Sequence, residues 1–406
     1  MRSSGLVALL QLILQVRVIC AEKIAVIGAG SWGTAVALKL IQSNPSAEVA
    51  LWAFEEVVAG DGRNLTEVIN VDRVNSLYLP GVRLPLGVCA SSSMESVCGN
   101  ATTLVVVVPH QFLSATLRGI APFVDPRAKA VSCIKGLTLS PNGVELLSDK
   151  IQTQLGLHEP CAVLMGANVA SDVASNQLVE ATVACRSTQV AQHFQRLFHS
   201  DSLLISCEPD VFTVEVCGAL KNVVALGAGF CDGLGVGSST KAAIMRIGLR
   251  EMADFCCLFH PQRGKFKDED LLASVNAAVL QSCGVGDVIA SSLGGRNRAC
   301  AAEFVRRSST EKGLTVETQS SSSVASSSFA LSERQWAVIE SELLSGQKLQ
   351  GLLTCDELIR CLDSDKARAT ASPARFPLFR RIFGVARLGW APRKLLEGWG
   401  DKSETG

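Results

Sequence analysis

Three things are missing from this chain of 406 residues. It has no net charge, because 38 Lys and Arg side chains balance 38 Asp and Glu. That balance excludes a partner held by bulk charge, such as nucleic acid or an anionic membrane, so any anion site has to be local. Nor is there a metal-ligating pattern. The 15 cysteines and 5 histidines are scattered, with no C-x-x-C pair and no His/Cys spacing of the kind that holds zinc. No metal is expected, and the thiols read as reduced core residues of an intracellular protein. Finally, the N-terminus lacks a run long enough to cross a bilayer, since the apolar stretch of residues 1–21 is interrupted by Arg17. That stretch still has a basic start, an apolar run and small residues near Cys20 and Ala21, the layout of a secretory or targeting leader. The alternative is an extra helix or a start codon placed too early.

What the chain does have is apolar material, at 48% of its residues. A chain of this length is too long for one ordinary core, so two domains are expected. The most informative stretch is residues 23–35, KIAVIGAGSWGTA. A short β-branched run leads into Gly28, Gly30 and Gly33 in G-x-G-x-x-G spacing, and a helical pattern follows. Gly28 permits a tight turn, Gly30 lets the backbone approach a pyrophosphate, and Gly33 lets the helix pack on the strand, with its N-terminus facing the phosphates. Residues 48–54 (EVALWAF) then read as a second strand, followed by Glu55 and Glu56. An acidic residue about twenty positions beyond the glycines commonly accepts from the adenosine ribose and repels a 2′-phosphate, which favours NAD over NADP. Phe54 either stacks on adenine or is a rim aromatic.

Residues 102–109 (TTLVVVVP) are apolar on both faces, as in a central parallel strand, and end in His110, Gln111 and Phe112. Phe112 is placed to wall the nicotinamide half. Residues 130–136 and 161–168 repeat the arrangement, with Lys135 where one strand stops, a candidate for an anionic substrate. The expected fold class is therefore α/β, a Rossmann-type doubly wound sheet over residues 22–209. From about Asp210 long helical runs take over, giving an all-helical C-terminal domain over residues 210–406. Residues 216–231 hold a single charge, Lys221. An ammonium in an apolar helix needs partners or loses its proton, which makes it useful for proton transfer, unless it snorkels to water. Asn222 either hydrogen-bonds a substrate or caps the chain locally. Asp287 and Ser291 lie four apart on one helical face, and Arg296 and Asn297 follow two glycines, a setting for an arginine fork on phosphate oxygens. Residues 308–332 are serine-rich and expected to be a flexible surface insertion.

Eight ordered blocks carry a resemblance: GAGSWGTA (28–35), VVPHQF (107–112), IKGL (134–137), VLMGANVAS (163–171), CGALKNVVALGAGFCDGLG (217–235), SCGVGDVI (282–289), GGRNR (294–298) and GQKLQG (346–351). Together they resemble the eukaryotic NAD-dependent glycerol-3-phosphate dehydrogenase family over about residues 22–383. The resemblance implies a homodimer whose Rossmann-type and helical domains enclose the site between them, using NAD to interconvert dihydroxyacetone phosphate and glycerol 3-phosphate. Such an activity feeds glycerolipid synthesis and reoxidises cytosolic NADH, which favours the cytoplasm over an organelle or secretory route. It implies that Gly28, Ala29, Gly30, Ser31, Trp32 and Gly33 line the pyrophosphate. Phe54, Phe112, Ala170, Arg296, Lys348 and Gln350 would surround the rest of the cofactor. Lys135, Lys221, Asn222, Ser291, Arg296 and Asn297 would hold substrate, with Lys221 the proton-transferring lysine and Asp287 its support. Ser291 stands where the family usually has threonine and keeps the hydroxyl. The runner-up activities are a 3-hydroxyacid or 6-phosphogluconate-type dehydrogenase, or a catalytically silent NAD-binding regulator.

Overall fold

The computed structural model describes residues 22–140, 143–311, 323–344, 349–364 and 375–399. The N-terminal half is built on an eight-stranded sheet. Its strands in chain order are β1 (Lys23–Ile27), β2 (Glu48–Trp52), β3 (Val88–Ser91), β4 (Thr103–Val106), β5 (Lys129–Ser132), β6 (Ala162–Met165), β7 (Val179–Ala184) and β8 (Leu203–Glu208). In space they run β8, β7, β6, β5, β4, β1, β2, β3. The first six are mutually parallel; β7 turns antiparallel to β6 and carries β8 parallel to itself. This is the expected doubly wound sheet. The order reverses between β1 and β4, so a crevice opens at their carboxyl ends, where ligands of such sheets gather. Helix α1 (Ser31–Ser43) leaves β1 there, and α2 (His110–Ile120) leaves β4.

All four residues of β4 are buried, consistent with a strand covered on both faces. The apolar runs at 102–109 and 130–136 extend further than the strands they contain. Val108, Cys133 and Ile134 are buried outside any strand, because the core continues under the loops that build the crevice. Burial, which the sequence pattern reports, is therefore a poor guide to where the ladder stops.

From Val211 the described chain is helical. Helix α3 (Val211–Leu234) is buried from residue 211 to residue 231. It is long and apolar enough to cross a membrane, yet its apolar window lies wholly inside the protein, as the axle of a helical core. Around it pack α4 (Ser238–Phe259), α5 (Asp287–Gly294), α6 (Arg296–Glu311) and α7 (Gln350–Leu362). The approach of α6 is backbone-close: a Cβ on Gly229 would lie 2.3 Å from the Arg298 carbonyl oxygen. At its start Asp210 caps α3, accepting from Thr213 N at 2.9 Å. The hydrophobic cluster around α3 also takes in Leu137, Val163 and Met165 from the sheet half, so the two halves share apolar contacts.

After α4 a further helix spans Asp268–Val279, with Asp268, Glu269 and Asp270 in its first turn. One connection differs from the sequence expectation. The serine-rich tract 308–332, expected to be a flexible surface insertion, carries helix at both ends: α6 runs on to Glu311 and another helix spans Ser323–Leu344. Serine is only mildly unfavourable in a helix, and neighbouring turns carry it along. Residues 312–322 lie outside the described residues. The tail packs as α8 (Pro377–Arg387), with Leu378, Phe379 and Ile382 buried.

Candidate active site

The glycine turn joins β1 to α1 at the carboxyl edge. Gly28 has φ +120, and a Cβ there would sit 3.1 Å from the Val107 carbonyl oxygen. A Cβ on Gly33 would lie 1.8 Å from the Gly28 carbonyl oxygen, so strand and helix close to backbone contact. Gly30, between them, is exposed and meets nothing within 4 Å. Gly30 is also the N-cap of α1 and brings no side-chain cap, leaving the first-turn N–H groups of Ser31, Trp32 and Gly33 to an outside acceptor. A tight base with an open lip fits a pyrophosphate. The turn is braced from below: Asn75 Nδ2 donates to the Ala29 carbonyl oxygen at 2.8 Å, and Ser31 Oγ donates to the Tyr78 carbonyl oxygen at 2.5 Å.

Phe54, two residues beyond β2, and Phe112, in the first turn of α2, are 73% and 58% exposed. Ala170 opens a short helix after β6. The acidic pair behind Phe54 is engaged by the protein itself: Glu55 accepts from Thr66 N and Oγ1, and Glu56 accepts from Tyr78 Oη at 2.6 Å.

A charged cluster lies where β5 and β6 end against the helical half. Lys221, 8% exposed in the middle of α3, donates to Asp287 Oδ1 at 2.7 Å and to Ser291 Oγ at 2.5 Å. Ser291 in turn donates to Asp287 Oδ1 at 3.1 Å. Lys135, from the loop after β5, donates to Asp287 Oδ2 at 2.6 Å and to the Gly166 carbonyl oxygen at 3.2 Å. One carboxylate thus bridges two ammoniums from opposite halves, leaving the trio net positive. Burial drives the Lys221 ammonium down to about 8, and the Asp287 charge resists that fall. Burial pushes Asp287 up, but the two lysines outweigh it and hold the carboxyl below its ordinary value. Asp287 is placed by an unusual lead-in, a single π-helical turn over Ser282–Gly286. Ser282 pins that turn to the sheet, donating to the Glu180 carbonyl oxygen at 2.8 Å and accepting from Ala167 N at 3.2 Å.

Beside the cluster, Asn297 Nδ2 donates to Asn222 Oδ1 at 2.9 Å, and its Oδ1 accepts from Gly351 N at 3.0 Å. Arg296 begins α6 next to it and is exposed. Gln350, first residue of α7, meets His110 Nδ1 at 3.0 Å. Lys348 lies outside the described residues. Sequence reasoning passed over Asn168, which is buried, two residues beyond Gly166, with an Nδ2 that has no partner among the described residues. An unpaired amide of that kind is costly unless something fills it. The available signal was the one that picked out Lys135, a polar residue ending an apolar strand.

The sheet order, the open glycine turn and the charged cluster at the same edge define a class, a two-part oxidoreductase that uses a nicotinamide dinucleotide. The chain belongs to the NAD-dependent glycerol-3-phosphate dehydrogenase family, matching its N-terminal model over residues 23–191 and its C-terminal model over residues 210–397. It is 38% identical over 375 residues to the cytoplasmic NAD(+) glycerol-3-phosphate dehydrogenase of Rattus norvegicus, covering 91% of this chain and 94% of that one. It also resembles the solved glycerol-3-phosphate dehydrogenase of Plasmodium falciparum, with TM-score 0.77 and 31% identity over 94% of this chain and 96% of that one. A Dunaliella salina structure aligns with TM-score 0.76 and 33% identity over 92% of this chain, which spans 60% of that longer protein.

Proposed function

We propose that this chain interconverts dihydroxyacetone phosphate and sn-glycerol 3-phosphate, and that Lys221 carries the proton. The support is the cluster in which Lys221, buried and lowered to about 8, shares Asp287 with Lys135. NAD, when bound as NADH, supplies the hydride that the substrate carbonyl carbon accepts. The chain's own residues do the rest. The Lys221 ammonium donates its proton to the carbonyl oxygen as charge develops there, and in the reverse direction the neutral amine accepts the alcohol proton. Asp287 keeps enough charge beside Lys221 for it to be an ammonium near neutral pH, and Ser291 fixes its direction. Lys135, Arg296 and Asn297, with Asn222 behind Asn297, bind substrate from its phosphate end, and that remote binding orients the carbonyl. Gly28 through Gly33 receive the pyrophosphate, while Phe54, Phe112, Ala170, Arg296, Lys348 and Gln350 surround the remainder of the cofactor.

Lys221→Ala is expected to bind NADH as the wild type does and to lose about 10²- to 10⁴-fold in turnover, the usual worth of a positioned acid. NADH fluorescence titration and absorbance kinetics with dihydroxyacetone phosphate measure the two quantities, and wild-type turnover in the variant would refute the assignment. The same assay run with 3-hydroxyacids and 6-phosphogluconate separates the runner-up dehydrogenases, and NADH binding without oxidation by any of them reveals a silent regulator. Arg296→Lys keeps the charge and loses the fork, so the KM for dihydroxyacetone phosphate rises. The resemblance also supports a homodimer, tested by light scattering of the purified chain. It supports a cytoplasmic location too, as the Rattus relative is named; N-terminal sequencing of the native protein decides whether residues 1–21 are removed.

A further inference from the structure

His110 begins α2, three residues intervening between it and the end of β4, and its side chain is 11% exposed. Its Nδ1 lies 3.0 Å from Gln350 Oε1, and its Nε2 lies 3.5 Å from Glu357 Oε1. Gln350 and Glu357 are two turns apart on α7, so they share one face of that helix. The ring also rests on the loop after β5: a Cβ on Gly136 would come 2.9 Å from His110 Cγ, and Gly136 follows Lys135. One imidazole therefore touches the loop that carries Lys135 and grips two side chains of a helix from the other half of the chain. Glu357 depends on it, since its second oxygen, Oε2, is buried with no partner among the described residues. The Glu357 contact raises the His110 pKa against the effect of burial. With both ring nitrogens protonated, Nδ1–H donates to Gln350 while Nε2–H faces the carboxylate.

We propose that His110 is a positioning residue for the cofactor: it holds the first turn of α7, and with it the Gln350 amide, against the carboxyl edge of the sheet beside Lys135. The proposal rests on the reading of Gln350 as a cofactor contact. In this role His110 acts through Gln350, by fixing the angle at which α7 presents it.

The test is a kinetic double-mutant cycle on the full-length protein with His110→Ala, Gln350→Ala and the pair. Each single change is expected to raise the KM for NADH by about tenfold, the worth of one hydrogen bond to a charged group. The KM for dihydroxyacetone phosphate and kcat should move less. The double variant should be no worse than the worse single one, because both remove the same contact. His110→Asn, which keeps an amide donor near the Nδ1 position, should recover part of the NADH KM, a rescue that a purely structural role would not produce. His110→Phe, which keeps a ring and loses both nitrogens, replaces His110→Ala in the cycle should that variant fail to fold. Effects that multiply, an unchanged KM in His110→Ala, or an asparagine no better than alanine would overturn the proposal while leaving Gln350 at the cofactor. A silent Gln350→Ala would remove both.

Discussion

At the scale of single residues, the proposed chemistry turns on the balance between burial and pairing at Lys221. Burial alone would strip its proton, and the Asp287 carboxylate restores enough attraction for the ammonium to persist up to about 8. In the proposed mechanism reduction of dihydroxyacetone phosphate needs the protonated lysine, so its rate should fall as pH rises through about 8. Oxidation of glycerol 3-phosphate needs the free amine and should rise through the same range. Asp287→Asn removes the group that holds the ammonium, so the decline of the reductive rate should begin at lower pH as well as from a lower plateau. Absorbance kinetics across pH 6 to about 11 read this directly, since that window brackets the ordinary lysine value of 10.5 and the lowered one of about 8. An alkaline limb that stays in place in Asp287→Asn would mean that the carboxylate does not tune the lysine.

At the scale of elements, helix packing decides how well the side chains of α3 and α6 meet. Gly229 lies two turns beyond Asn222 on α3, hence on the same face, and admits the α6 backbone at a distance no side chain tolerates. Gly229→Ala should push α6 away, lower stability by about 1–3 kcal/mol, as over-packing typically does, and loosen the pairing of Asn297 with Asn222. The expected signature is a lower unfolding midpoint together with a higher KM for dihydroxyacetone phosphate; a variant unchanged in both would show that α6 can shift without cost. The elements themselves were unevenly legible. The turn at residues 28–33 could be read because three glycines between a strand and a helix have few other uses, and Lys221 could be read because a lone charge in a buried helix is expensive. Strands β3, β7 and β8 escaped notice. β3, VCAS, exposes Cys89 and ends in Ser91, and β7 carries Glu180 and Thr182 within VEATVA, so both lack the continuous apolar run that marked β4. Convergence was the least legible feature. Nothing local in the sequence brings Lys135 to Asp287, 152 residues away, or His110 to Gln350, 240 residues away, so those pairings came from resemblance or not at all.

At the scale of the whole molecule, the cluster works only if the two halves keep their relative placement, and a buried polar seam helps to set it. Glu215, on α3 and 2% exposed, accepts from Leu147 N at 2.5 Å and from Ser148 Oγ at 2.5 Å. Those groups sit at the start of the helix Leu147–Leu155, which belongs to the sheet half, so a carboxyl of one half caps a helix of the other. Burial pushes this carboxyl from its ordinary 4.5 up to about 7, against the pull of the three donors at Leu147 and Ser148. Because the folded value is the higher one, the folded state keeps a proton that the unfolded chain has released between those two values. The associated stability is present in full below about 4.5 and is lost as pH rises to about 7. Glu215→Gln carries no titrating group, so its stability relative to the wild type should improve steadily across that window and level off above it. Urea unfolding at a series of pH values, followed by the fluorescence of the five tryptophans, Trp32 and Trp52 in the sheet half and Trp336, Trp390 and Trp399 in the helical half, measures the difference. Parallel stability curves for the two proteins would show that the seam carboxyl titrates alike in the folded and unfolded chain, and that the junction is held by the shared apolar contacts around α3 alone.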